Sequence, residues 1–491
     1  MRFLPAPIHP SSFLIHPFSS RRKWVDSNSV MGFNAAVVVS VFALALPAGA
    51  AELAVRLEAA LEGKALRGAR VAALVADEAS GRVLFERNAG EALAPASNQK
   101  VLTALAALAT FGPGYRFRTD VLATQAIDEQ GSVPELVVRG GGDPALTSEE
   151  IWRIAADLRR SGLREVRGGL VLDDSAFDAE RWNTAWGPPE TRAYYAPVAA
   201  LSANYGAFAV EVRPAADGGG AAFVALDPAI PFLSLQNGAT TGRPANLSIT
   251  RSSLEGGEKV VVSGRVGDAQ TYYRSVADGV RYAGALLRAQ LEANGVRVLG
   301  GERLGPTPSG AVPLLEHEGL PLAEIVRRLM KFSNNHIAEM LVKAMGRAAT
   351  GQPGSWANGL AAMRERLEQL GVDLSSARLL DGSGLARDNR VSPRTLVGAL
   401  RAGARSFAFG PEMVGALPLS GTDGTLARRN AGPAGAVRAK TGLLNGVTGL
   451  SGYAQRPDGS RVVFSVLANG YRCSDAEAMA AMDAFARSLT E

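Results

Sequence analysis

Ser97 and Lys100 stand three residues apart in Ala94-Pro95-Ala96-Ser97-Asn98-Gln99-Lys100-Val101-Leu102-Thr103-Ala104-Leu105-Ala106-Ala107-Leu108. A serine hydroxyl attacks at neutral pH only beside a base. A lysine amine is such a base only where burial or another cation has lowered its pKa. Leucines and alanines at helical spacing follow Ser97, and Pro95 precedes the run, which predicts a helix beginning near Ser97. Positions three apart share a helical face, so hydroxyl and amine would meet. The free N–H groups of a first helical turn also suit an oxyanion. Taken alone, the tetrad reads first as a helix cap followed by a solvated lysine; two downstream stretches turn it toward a nucleophile and its base.

The first is Lys331-Phe332-Ser333-Asn334-Asn335-His336, a polar break between helical patterns that can set the Ser333 hydroxyl and Asn335 amide in a cleft wall. The second, Val437-Arg438-Ala439-Lys440-Thr441-Gly442-Leu443-Leu444, reads as a strand. Lys440 offers a fixed positive charge and Thr441 a hydroxyl, a pair suited to a terminal carboxylate. Strict alternation puts Lys440 and Gly442 on one face and Thr441 on the other, so a bulge at Gly442 is expected if both side chains address ligand. Gly442 is also expected to let a substrate backbone come close.

The elements that must position these groups come from both ends of the chain. Glu52 to Glu62 reads as a helix, and Val71 to Ala76 and Arg82 to Glu86 flank a hairpin turn. A matching hairpin joins Thr448 to Ala454 and Arg461 to Ala468, and Ala476 to Leu489 closes as a helix. Helical patterns also cover Leu322 to Met330, Ala338 to Met345 and Trp356 to Leu370. Between the ends lie short apolar runs punctuated by Gly, Pro and Asp, with helices only over Ser148 to Arg160 and Tyr282 to Ala293. This predicts an α+β domain, an antiparallel sheet flanked by helices, interrupted by a large β-rich insertion. The expected division is 1–50 leader and signal peptide, 51–117 catalytic domain, 118–315 insertion of two nested domains, and 316–491 catalytic domain.

Composition narrows the chemistry. The 491 residues carry a net charge of +5, and Arg2, Arg21, Arg22 and Lys23 against Asp26 place +3 of it in the first 50 residues, which gives no support to nucleic-acid binding. Arg21-Arg22-Lys23, the apolar run Ala35 to Leu46 and Pro47-Ala48-Gly49-Ala50 form a secretory signal with cleavage expected after Ala50; an uncleaved anchor is the alternative reading. The single cysteine, Cys473, excludes an internal disulfide. Beyond the signal only His317 and His336 remain, without a His-Glu-x-x-His helix or a Gly-x-Ser-x-Gly elbow, so no metal or cofactor is expected and the base of a hydrolase here would be lysine.

Ser97-x-x-Lys100, Ser333-x-Asn335 and Lys440-Thr441-Gly442, in that order, resemble the three signatures of penicillin-binding proteins and serine β-lactamases. Gly140-Gly141-Gly142-Asp143-Pro144, Ala338-Glu339, Asp381-Gly382-Ser383-Gly384-Leu385 and Gly421-Thr422-Asp423-Gly424-Thr425-Leu426 narrow the resemblance to the class C low-molecular-mass penicillin-binding proteins. The resemblance implies a penicillin-recognising, transpeptidase-like fold and serine-type D-Ala-D-Ala carboxypeptidase and endopeptidase activity on peptidoglycan stem peptides and crosslinks. It implies Ser97 as nucleophile, Lys100 as base, Ser333 and Asn335 as catalytic partners, and Lys440, Thr441 and Gly442 in substrate binding. The N–H groups of Ser97 and Leu443 would hold the oxyanion, and β-lactams would acylate Ser97. The implied location is the periplasm, with loose association with the membrane surface. A β-lactamase and a catalytically inactive cell-wall-binding protein are the rival readings. Lys440 is expected to help keep Lys100 deprotonated. His336, Asp143 and the aromatic cluster of Trp182, Trp186, Tyr194 and Tyr195 stand between packing and ligand contact.

Overall fold

The computed structural model describes residues 48–216 and 218–491; the expected signal lies outside them except for Ala48-Gly49-Ala50, which open the first helix. In chain order the catalytic part consists of α1 (Ala48–Leu61), β1 (Arg70–Asp77), β2 (Val83–Arg87) and α2 (Gln99–Phe111). After the insertion come α3 (Leu322–Phe332), α4 (Asn335–Thr350), α5 (Trp356–Gln369), α6 (Pro393–Arg405) and α7 (Gly410–Ala416). β3 (Val437–Leu444), β4 (Val447–Gln455), β5 (Arg461–Asn469) and α8 (Asp475–Ser488) complete it.

The five strands form one antiparallel sheet in the order β3-β4-β5-β1-β2. The seam joins the two ends of the chain, Arg70 facing Asn469 and Asp77 facing Val462. β1 and β5 read as nearly continuous apolar runs because both their faces are covered. Leu57, Leu61 and Phe485 of α1 and α8 pack on one face, and Leu102, Leu105, Val397 and Leu467 meet on the other. α2 is buried along almost its whole length, from Gln99 to Leu108, which explains why its sequence is apolar all round.

The β-rich insertion carries its own apolar core around Val121, Leu170, Phe208, Val260 and Leu286. A five-stranded sheet and three three-stranded sheets build it, with its two longer helices at Ser148–Arg160 and Gly279–Ala293. The strand Arg116–Ala123 pairs antiparallel with Val312–Pro321, so this sheet runs a few residues past both expected borders. The glycines of the Gly140–Pro144 turn have a packing reason: a Cβ on Gly140 or Gly141 would strike the carbonyl of Ala200 or Arg118. Cys473 is half-buried against the Ala65 carbonyl.

Candidate active site

Ser97 lies in a 3-10 turn, Ala96–Asn98, that leads directly into α2. Ala96 adopts a left-handed φ of 46°, an unfavourable conformation for a residue with a Cβ, held by complete burial. The Lys100 amine, buried one turn into the helix, is 2.9 Å from Ser97 Oγ. It also donates to Asn335 Oδ1 at 2.7 Å and to the Ser383 carbonyl at 2.7 Å. Both of these oxygens can only accept. A neutral amine has two N–H donors and one lone pair, so with both donors engaged the lone pair is left for the Ser97 hydroxyl. Asn335 cannot easily reverse, because its Nδ2 is spent on the Tyr194 carbonyl at 3.1 Å.

Burial pushes the Lys100 pKa down to about 7, against Asp381 and Glu339, whose carboxylates pull it upward. Burial is the main cause of the lowered Lys100 pKa; the like-charge repulsion between Lys100 and Lys440 is mutual and disfavours their joint protonation, in line with the expected assistance. The Lys440 amine is held well below the usual lysine value by burial, then by Lys100 and Arg429. An anion arriving beside it would offset that burial and favour its charged form.

The Ser333 and Asn335 side chains reach the groove because the chain breaks between α3 and α4. Ser333 takes a left-handed conformation, φ 57° and ψ 36°, and Asn334 caps α4 by accepting from the Ile337 N–H at 3.0 Å. Lys440 Nζ donates to Ser333 Oγ at 2.8 Å and to the Thr441 carbonyl at 2.8 Å. The Ser333 proton is then free to point elsewhere.

β3 is an edge strand, and its register with β4 is regular through Gly442, with Gly442 opposite Gly449. The expected bulge is absent. At a free edge, side chains of both faces border the same groove, so alternation is no obstacle. Gly442 also answers to a packing need beyond the substrate approach expected of it. A Cβ there would collide with Asn98 Nδ2 and come within 2.8 Å of the Pro95 carbonyl, so the glycine lets β3 pack on the Ser97 turn. Gly442→Ala is expected to cost about 1–3 kcal/mol through overpacking, read as a lowered denaturation midpoint, and to slow acylation by displacing Ser97.

The alternation of antiparallel hydrogen bonds from the two-residue turn Asn445-Gly446 points the N–H groups of Ala439, Thr441 and Leu443 outward. That of Ala439 is taken by the Pro418 carbonyl at 3.0 Å. Those of Thr441 and Leu443 face the groove. Thr441 Oγ1 donates to Thr425 Oγ1 at 2.9 Å, which brings the Gly421–Thr425 loop to the rim. Buried Lys331 anchors that loop with its amine on Asp423, at 2.7 and 2.8 Å, and on the Leu417 carbonyl at 2.6 Å.

Two acids missed as parts of the site fix the loop that offers the Ser383 carbonyl. Glu339 accepts from the N–H groups of Ser383 and Gly382, at 2.8 and 3.0 Å, and from Trp356 Nε1 at 2.8 Å. Its burial, then the neighbouring Asp381, raises its pKa to about 7. Asp381 accepts from Gly384 and Ala386 N–H, Trp186 Nε1 and Asn389 Nδ2, all within 3.0 Å. The signal for Glu339 was its spacing of four from Asn335, one helical turn along the same face.

The remaining candidates fall on the packing side, with one exception. His336 is buried and faces Gly206, its pKa lowered by burial to about 4. Asp143 is buried at the junction with Gly319, its pKa raised by burial to about 7. Trp186 packs edge-on against Trp356 and Tyr195. Tyr194 is the exception, exposed at the groove.

Residues 53–491 match the model of the D-Ala-D-Ala carboxypeptidase 3 (S13) family. A D-alanyl-D-alanine carboxypeptidase of Actinomadura sp. (strain R39) is 40% identical over 462 residues, covering 90% of this chain and 85% of that protein. The crystal structure of penicillin binding protein 4 from Haemophilus influenzae superposes with a TM-score of 0.76 at 26% identity, over 88% of this chain and 98% of that one. The same Haemophilus protein complexed with a β-lactam gives 0.72. The fold is accordingly the expected α+β one, a penicillin-recognising, transpeptidase-like core with a β-rich insertion. As the three ordered motifs implied, the chain belongs to the D-Ala-D-Ala carboxypeptidase 3 (S13) family, among the class C low-molecular-mass penicillin-binding proteins.

Proposed function

We propose that this protein is a serine D-Ala-D-Ala carboxypeptidase that also cleaves D-Ala-linked crosslinks in peptidoglycan through an acyl-enzyme at Ser97. The observation that carries this reading is the buried Lys100 amine 2.9 Å from Ser97 Oγ, its other two contacts being the acceptors Asn335 Oδ1 and the Ser383 carbonyl. Ser97 Oγ attacks the carbonyl of the penultimate D-Ala while its proton passes to Lys100. The N–H groups of Ser97 and Leu443 hold the oxyanion. The C–N bond then breaks, the leaving nitrogen takes a proton through Ser333, and the acyl group remains on Ser97 as an ester. Water hydrolyses the ester and restores the hydroxyl. Lys440, Thr441 and Thr425 surround the terminal carboxylate, and the donor backbone lies along the open edge of β3.

Glu339 supports a hydrolase of stem peptides over a β-lactamase. Both its oxygens are occupied by N–H donors of the Gly382–Ser383 loop and Trp356, so it is not available to activate a deacylating water. We further propose export by the segment 1–50 to the periplasm, with loose association with the membrane surface. Purified protein should release D-Ala from a pentapeptide stem and bind labelled penicillin stably. Peptide mass mapping is expected to place the label on Ser97; a label elsewhere, or none on folded protein, contradicts the reading.

A further inference from the structure

The insertion reaches the reacting groups through the Tyr194 carbonyl on Asn335 and Trp186 on Asp381. It also walls most of a cavity of about 750 Å³ that opens beside Ser333 and Asn335. The catalytic domain contributes Phe332 to Asn335, Ile337 and Arg328, and the insertion contributes Tyr205, Phe208, Asp227 and Tyr273 among others. Three features mark it as built. Its mouth carries three exposed aromatics, Phe332 at 68%, Tyr273 at 62% and Tyr194 at 42%, in a protein whose large apolar side chains are mostly buried. One wall is formed by a strained turn, with Asn204 and Tyr205 both at positive φ, 49° and 61°. Hydrogen bonds hold that turn in place: Asn204 to Ser148 and Tyr282, and Arg328 to the Tyr205 hydroxyl at 3.1 Å.

The position of the cavity identifies its occupant. If the donor stem runs along β3 from Thr441 toward Leu444, the leaving nitrogen departs at the opposite end, beside Ser333. A free D-Ala is too small to need what lies beyond. The leaving group of a crosslink is instead a side-chain amine of a second stem peptide, with the rest of that peptide attached. Such a peptide carries ammonium and carboxylate groups, and the cavity presents both signs, Glu149 and Asp227 with Arg328.

We propose that this cavity is the subsite for the second, amine-donating stem peptide of a crosslink, and that the insertion thereby confers endopeptidase selectivity. The proposal rests on the Ser97 acyl-transfer reading. Its test is the ratio of kcat/KM on a purified crosslinked muropeptide dimer to that on the uncrosslinked pentapeptide monomer. Tyr273→Ala, a change at an exposed position, and Arg328→Gln are each expected to lower that ratio about tenfold, the loss of ~1.4 kcal/mol of selective binding. An unchanged ratio in both folded variants overturns the subsite. Wild-type protein that hydrolyses neither substrate and takes no penicillin label overturns the parent reading instead, so the two failures are distinguishable.

Discussion

Lys100→Met is expected to lower the rate of acylation by labelled β-lactam, and of D-Ala release, by about 10³–10⁴-fold, the upper range for loss of a general base. The substitution keeps an unbranched apolar stem in the buried channel. It removes the group that pairs with Ser97 Oγ, Asn335 Oδ1 and the Ser383 carbonyl together. Stability has two opposing contributions. Leaving the two carbonyl oxygens without a donor costs about 1–3 kcal/mol each, while removing a buried amine relieves desolvation. Thermal denaturation should therefore show a folded protein with a modest shift. Acylation at wild-type rate in a folded Lys100→Met variant would remove the base from the account.

Lys440→Ala is expected to act on recognition. A charge-assisted hydrogen bond to a carboxylate contributes about 1.5–3 kcal/mol, so kcat/KM on stems ending in free D-Ala should fall about 10–100-fold. On a stem whose terminal carboxylate has been amidated, the same variant should lose much less, because the wild type has already lost its charge partner. The contrast is informative because the free amine is held well below the usual lysine value by burial, with Lys100 and Arg429 adding to it. An arriving carboxylate offsets that desolvation and favours the charged amine. Equal losses on both substrates would mean that Lys440 acts only by positioning Ser333.

The three motifs were legible because their chemistry is local in sequence. Ser97 and Lys100 meet through helical spacing, and Ser333, Asn334 and Asn335 break one helix and cap the next. Both hairpins and the helices Ser148–Arg160 and Trp356–Gln369 were readable from apolar spacing and turn residues. α6 was not, although Ser392-Pro393 is a helix-start signal and Ser392 does accept from the Thr395 N–H at 3.1 Å. Gly398 and Gly403 weaken its local propensity, and Gly403 is there for packing: a Cβ would crowd Met413 at 2.9 Å.

What stayed hidden is set by tertiary contact. Nothing near Lys100 in sequence says that its amine will be buried, nor that a carbonyl from Ser383 will share it. The packing role of Gly442 stays hidden for the same reason: its neighbour is the Ser97 turn, brought there by the fold. Alternation calls for a bulge only where one face of a strand borders the site; β3 lies at the sheet edge, where both faces do.

The most direct measurement is the pH dependence of acylation. A protonated Lys100 has no lone pair for the Ser97 proton, so the rate must fall as pH drops through the folded-state pKa and level off above it. Stopped-flow acylation of wild-type protein by a chromogenic β-lactam, from about pH 5 to about pH 10, spans the value of about 7 to which burial lowers Lys100 and approaches the ordinary lysine value. A limb centred near 7, belonging jointly to Lys100 and the nearby Glu339, is the expected result. A rate independent of pH across that range, or one still rising toward the ordinary lysine value, would contradict a neutral Lys100 as the base.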